Sequence, residues 1–240
     1  MKVTNKYGFP DALVNAVKND PYDAGESDYT ATGLIKPVRQ LFLQKKHRDD
    51  IEEDVADRLW SLYGQVAHGI LERANETALV EKRFFAEVDG YTVSAQIDTL
   101  CLDHGILSDY KFTTSFAFMA HKEPKVEWVQ QMNIQAWLLR QHAYKVDKAQ
   151  IIGLLRDWAP SSARTKSGYP VTQIAKMDIP LWTDAEVEFF VRNRIQAHEL
   201  ATDSSLVECS SEETWSGRRC SGYCSVSKWC DQYNNKGRKE

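Results

Sequence analysis

Apolar and polar residues alternate with a period of two through residues 79–113, and two groups of turn formers, Asp89-Gly90 and Asp103-His104-Gly105, interrupt the alternation. The period, with a richness in Val, Ile, Phe, Tyr and Thr, predicts three antiparallel strands joined by two tight turns. The exceptions to the pattern are polar. Asp98 sits in an otherwise apolar run of Ala95, Ile97 and Leu100, and Asp109 and Lys111 flank Tyr110, so these two share one face of a strand. Two carboxylates and an ammonium gathered at the end of a sheet are costly unless a cation and a reacting anion use them.

On either side of this meander the period changes to three and four. Upstream, a Thr30 cap followed by Leu34, Ile35, Val38, Leu41 and Phe42 predicts an entry helix. Ile51, Val55, Leu59, Leu62, Val66, Ile70 and Leu71 then predict one long amphipathic helix, broken near Gly64, with His68 toward its end. Downstream, a helix over 126–142 places Val129, Met132, Ala136 and Leu139 on its apolar side and Gln131 and Gln135 one turn apart. A strand over 149–158, a polar loop over 161–170 and a short strand within 171–182 follow, and Thr183 with Glu186 forms a capping box for a last helix. The order predicts an α/β fold of mixed α+β layout: a central mixed sheet with an antiparallel three-stranded meander, flanked by helices. Residues 1–30 read as a loosely ordered lead-in, 31–205 as the folded core, and 206–240 as a cysteine-rich segment with a basic tail.

Composition narrows the setting. No apolar run approaches membrane-spanning length and the first residues lack a signal-peptide core, so a cytoplasmic protein without a membrane partner is expected. The net charge of -4 means that a nucleic acid must be held by a local basic patch and metal ions. Lys36, Arg39, Lys45, Lys46, His47 and Arg48 form the main basic cluster, which taken alone reads as a solvated helix face.

The ordered set His68, Asp98, Asp109-Tyr110-Lys111 and Gln131 resembles the PD-(D/E)XK nuclease superfamily, in its RecB-like and Cas4-like branch. The matching pieces are GQVAHGILE, SAQIDTL, LSDYKFTT and VQQMNIQAWLL; TATGLIKPVRQ is similar to the entry helix, and LLRDWAPSSARTKSGYP followed by IPLW resembles phage-type exonucleases. A bare D-x-K is a weak signal, whereas the ordered set is a strong one. The resemblance implies a restriction-endonuclease-like core and a metal-dependent DNA nuclease, an exonuclease of phage or recombination-linked DNA processing. An endonuclease, or a non-catalytic DNA-binding or assembly module on the same fold, is the alternative.

Phosphodiester hydrolysis needs an activated water and neutralisation of the phosphorane-like transition state, which one or two divalent ions supply. Asp98, Asp109 and the backbone carbonyl of Tyr110 offer the hard oxygens that Mg²⁺ takes, and the resemblance adds His68, which suits Mn²⁺ better. Lys111 would position the attacking water or stabilise the anionic phosphorane, kept from acting as a base by neighbouring carboxylates. Gln131 would orient Lys111 or the phosphate. Arg39, Lys45, Lys46, Arg48, Arg164 and Lys166 are the expected track for single- or double-stranded DNA.

Two features depart from the family pattern. An aromatic, commonly Tyr, is expected four residues after the helical Gln, where this chain has Gln135. Relatives with an iron-sulfur cluster hold it with one Cys before the entry-helix Pro and three near the C-terminus; here Lys36 precedes Pro37, while Cys209, Cys220, Cys224 and Cys230 form a C-terminal set. Four thiolates suffice for a cluster or for Zn²⁺, which is the alternative; the spacing favours a metal-free or incompletely liganded remnant in which Cys, Trp215 and Trp229 pack. The tail also reads as a docking module for a recombinase, helicase or single-strand-binding protein.

Overall fold

The computed structural model describes residues 2–19, 25–73, 78–120 and 122–236. In chain order the elements are β1 (Lys2–Thr4), α1 (Asp11–Lys18), β2 (Tyr29–Thr30), α2 (Ala31–Leu34), α3 (Val38–Lys46), β3 (Glu52–Asp54) and α4 (Leu59–Arg73). Then come β4 (Ala78–Val80), β5 (Arg83–Val88), β6 (Tyr91–Gln96), β7 (Thr99–Cys101), β8 (Ile106–Thr113) and α5 (Val126–Gln141). The remainder comprises β9 (Lys148–Leu155), α6 (Pro160–Thr165), β10 (Ile174–Ile179), α7 (Asp184–Glu199), α8 (Arg218–Gly222) and α9 (Asp231–Lys236). This is a mixed α/β architecture whose multi-stranded central sheet is flanked by helices, consistent with a restriction-endonuclease-like core.

The chain divides into two units, one of Met1–Tyr22, Thr32–Arg58 and Arg192–Glu240, the other of Asp23–Ala31 and Leu59–Val191. In the first, β1 pairs in parallel with β3, and buried Asp54 ties the pair to the following turn by accepting from Thr4 Oγ1 at 2.8 Å and Lys6 N at 2.9 Å. Leu43 and Ile51 pack with Val226 and Cys230, and Phe42, Leu206, Cys224 and Trp229 close around them. The C-terminal segment thereby supplies half of that small core. The predicted entry helix is two helices, because Pro37 lacks the N–H that would continue α2 into α3.

The second unit holds a five-stranded sheet in the order β10-β9-β8-β7-β4 and a three-stranded sheet in the order β2-β6-β5. Within the larger sheet β8 and β9 run parallel and the other pairs antiparallel. The predicted meander is present, but its first two strands are shared between the sheets: β5 pairs with β6, while β4 pairs with β7. α5 is the central helix. Trp128, Met132, Ile134, Ala136, Trp137, Leu138 and Leu139 are all buried, so it is enclosed on most sides rather than along one stripe.

The long helix predicted from Ile51 starts only at Leu59, because Glu52–Asp54 pair with β1 instead, and Gly64 does not interrupt it. None of the described side chains of α4 is buried, and Val66 and Ile70 of its apolar stripe are 57% and 53% exposed. Periodicity marks an apolar face but not what covers it. The polar loop expected over 161–170 contains α6, which Pro160 opens with a preset φ.

Candidate metal centre

A bend in one hairpin creates the site. Val80 faces Thr99 and Arg83 faces Gln96, so the register is unchanged across the bend and no residue is inserted. At the bend Glu81 has φ 49°, a left-handed conformation that costs a non-glycine residue roughly 1–2 kcal/mol. Two backbone hydrogen bonds hold it, Glu81 N–H to Asp98 O at 3.1 Å and Ile97 N–H to Lys82 O at 3.0 Å. Because the hairpin turns away, β7 covers β8 only over Ile106–Ser108, whereas β9 accompanies it to Thr113. The exposed edge of β8 is met by a side chain instead of a strand: Tyr110 N–H donates to Asp98 Oδ2 at 2.6 Å. The N–H and C=O of a strand residue face the same side, so the Tyr110 carbonyl faces this notch too.

Three side chains, one from α4 and two from facing positions at the bend of the hairpin, converge there. His68 Nδ1 lies 2.9 Å from Glu81 Oε1 and 3.8 Å from Asp98 Oδ1. One donor atom from each of the three falls within 4.8 Å of the others. Gln96 Nε2 donates to the second Glu81 oxygen at 2.6 Å and fixes the carboxylate plane. A second group adjoins the first. Asp109 and Lys111 lie on the α5 side of β8, where Lys111 Nζ is 2.7 Å from Asp109 Oδ2 and donates to Gln131 Oε1 at 3.2 Å, and Gln131 Nε2 donates to Asp109 Oδ1 at 2.9 Å. Asp109 is only 1% exposed; Gln131 satisfies Oδ1, while Oδ2 accepts no hydrogen bond and is compensated by the charge of Lys111.

The electrostatics follow from this crowding. Burial, then repulsion from Asp109, pushes the Asp98 carboxyl up to about 7. The hydrogen bond with Glu81 raises His68 against the opposing effect of burial, with help from Asp98. Burial alone would push Glu81 up, but hydrogen bonds from His68 and Gln96 bring it below the usual carboxylate range. Burial would likewise lower Lys111, yet the Asp109 carboxylate outweighs it and keeps the ammonium protonated. While Asp98 and His68 hold their protons, Glu81 and Asp109 are balanced by His68 and Lys111, and a bound cation would have to displace both protons. An imidazole and two carboxylates around one notch are a donor set that could hold a metal ion.

No protein-family model and no curated protein matches the chain. Its fold is similar to the crystal structure of SSO0001. That likeness has a TM-score of 0.60 at 16% identity and covers 91% of this chain and 94% of the other. A phage related exonuclease from Haemophilus somnus 129PT aligns over 78% of each chain at 14% identity, with a TM-score of 0.31 too low to argue a shared fold. The first likeness extends the shared architecture over nearly the whole chain and speaks to fold alone.

Of the residues singled out from sequence, His68, Asp98, Asp109, Tyr110, Lys111 and Gln131 all meet at the notch or directly beside it. Glu81 was missed. Its sign lay in the turn: counting outward from Asp89-Gly90 sets Glu81 opposite Asp98. Gln135, in the position where an aromatic is expected, is buried and donates to Gln96 O at 2.9 Å, so it braces the strand that carries Asp98.

The basic residues fall in both units, Arg39 to Arg48 in the first and Arg164 and Lys166 in the second. Arg39 is engaged by the carbonyls of Leu206 and Val207, and Lys46 pairs with Asp203 at 2.5 Å. Lys45 and Arg48 are exposed around the end of α3, while Arg164 and Lys166 are exposed in and after α6. The four C-terminal cysteines are free thiols lining one cavity of about 20 Å³. No three of their sulfurs lie within 4.8 Å of one another, whereas thiolates each 2.3 Å from one zinc ion would. Burial, then Glu213, pushes the Cys209 thiol up to about 12.

Proposed function

We propose that this chain is a divalent-cation-dependent deoxyribonuclease of the PD-(D/E)XK superfamily, RecB-like in its site, acting as an exonuclease in phage or recombination-linked DNA processing. The supporting observation is the sharing of one notch by two groups of opposite capability. His68, Glu81 and Asp98 hold acceptors toward a cation, and Lys111, steadied by Asp109 and Gln131, holds a positive charge beside them.

A bound cation of the Mg²⁺ or Mn²⁺ class activates water and offsets charge on the phosphodiester. Everything else belongs to the chain. Asp98 is aimed by the Tyr110 N–H, so one of its oxygens stays turned toward His68. Lys111, kept protonated, donates to the oxygens that gain charge as the phosphorane forms. Gln131 bonds Asp109 and Lys111 simultaneously, which fixes the ammonium and leaves little reorganisation for the reaction to complete.

Cleavage of end-labelled linear and circular DNA in Mg²⁺, Mn²⁺ or EDTA tests this reading. Loss of linear but not circular DNA is expected with either metal. Lys111→Ala and Asp109→Ala should each slow it at least about a hundredfold, and Glu81→Gln should raise the metal concentration needed. Cutting of circles would convert the assignment to endonuclease. A folded wild type that cleaves nothing in either metal leaves a non-catalytic DNA-binding or assembly module.

A further inference from the structure

Three aromatic rings and one guanidinium form a surface patch just beyond the notch, and nothing above employs them. Trp60 and Tyr63 project from α4 and are 48% and 47% exposed. Both meet Phe112, the residue after Lys111 on β8. The ring centroids of Trp60 and Phe112 are 6.3 Å apart at 32°, those of Tyr63 and Phe112 5.8 Å at 26°, and those of Trp60 and Tyr63 5.9 Å at 43°. The rings are therefore tilted only moderately against one another and make a broad apolar surface instead of closing edge-to-face into a core. The Arg156 guanidinium lies 4.1 Å from the Trp60 ring centre. Arg156 follows β9 and its N–H donates to Thr113 O at 3.0 Å, which plants the cation at the carboxyl ends of the parallel pair.

We propose that Trp60, Tyr63, Phe112 and Arg156 form a platform on which unpaired bases of the substrate strand stack while its phosphates run toward the notch. The proposal rests on the nuclease reading for its direction. α4 carries both the platform and His68, and β8 carries Phe112 on its α4 face and the Asp109–Lys111 pair on the other, so the strand would reach Lys111 round the open edge of β8 at Tyr110. Eight residues of helix separate Trp60 from His68, about 12 Å along the axis, a span of a few nucleotides. Exposed rings interleaved with a cation are what a strand without fixed sequence requires, because every base offers a π-face and every link a negative charge. A duplex conceals those faces in its own stack, so the ligand is single-stranded. Leu59, Val66 and Ile70 continue the exposed face of Tyr63 along α4, and it is the Arg156 guanidinium against Trp60 that favours a nucleic acid over a protein at this end of the face.

The test uses the full chain in EDTA with fluorescent oligothymidylate, an abasic oligomer of equal length and a blunt duplex, read by anisotropy at low salt. Oligothymidylate should bind at least about tenfold more tightly than the abasic oligomer or the duplex. Trp60→Ala and Phe112→Ala should each remove about tenfold of that affinity, and Trp60→Phe should retain most of it. The shift in melting temperature caused by MnCl₂ should be unchanged in Trp60→Ala, which reports an intact fold and notch. Equal binding of abasic and base-bearing oligomers overturns the platform, as does unaltered affinity in both alanine variants. Failure of the wild type to bind any oligonucleotide also overturns it, in favour of a protein occupant. Base-dependent binding that Trp60→Ala weakens, in a protein that cleaves nothing, would uphold the platform and refute the nuclease.

Discussion

Asp98 is the residue on which the site turns. One oxygen replaces a strand partner for Tyr110, and the other faces His68. Its carboxyl, pushed up to about 7 by burial and Asp109, has a consequence for stability. Between the unfolded value of 3.8 and about 7 the folded chain keeps a proton that the unfolded chain has released, so raising pH across that window favours unfolding. His68 acts in the same sense. Its raised value supplies stability that is complete below 6.5 and is lost as pH climbs through the folded value. Without divalent metal, the melting temperature should therefore fall by on the order of 5 °C between pH 5 and 8. In Asp98→Asn much of that slope should vanish, and MnCl₂ should restore stability to the wild type most strongly at the alkaline end. A wild-type profile that is flat or rises over this range in EDTA would contradict the burial of a protonated Asp98. Calorimetry at several pH values measures it directly.

Among the elements, β8 does the positioning and β9 keeps β8 in place. Gly153 of β9 lies opposite Lys111, and a Cβ built on it would come within 2.6 Å of Phe118 Cζ and nearer still to Cε2. Phe118 is buried with its ring against Trp128, so it has nowhere to move. Gly153→Ala should cost about 1–3 kcal/mol in urea unfolding and slow cleavage more than it alters metal affinity, since β8 shifts while Glu81 and Asp98 stay on their hairpin. The strands, α5 and the capping box of α7, in which Thr183 and Glu186 exchange hydrogen bonds, were legible because period and caps are local signals. The start of α4 was not. Glu52–Asp54 continue a helical period but pair with Lys2–Thr4, a contact across some fifty residues that no local pattern encodes. Burial failed on the same helix for a related reason, since α4 has the stripe of a core helix and no buried side chain among those described.

For the whole molecule, the ordered residues of the notch were legible as types in sequence, and what sequence hid was the company they keep. Glu81 looked like a strand residue among others until a positive φ and a bend turned it toward His68. The cysteines looked like one set by spacing; in space they share a small cavity while Cys230 also belongs to the core formed with Leu43 and Ile51. No helix among the described residues is long and apolar enough to cross a membrane. The hairpin's unbroken register, finally, makes the site a matter of counting. Glu81 stands eight residues before Asp89 and Asp98 eight after Gly90, so it is the length of the arms, set from a turn remote from the chemistry, that brings two carboxylates face to face. One residue inserted between Asp89 and Gly90 would leave every donor in the chain and still separate the pair, and the MnCl₂-induced melting shift should disappear. Removing one residue from either arm on the turn side of the bend should bring it back. What such a protein must hand down here is a number as well as a composition: the turn needs residues that accept positive φ, as Asp89 at 52° and Gly90 at 84° do, and an insertion or deletion that shifts the register should silence the site as surely as the loss of a ligand.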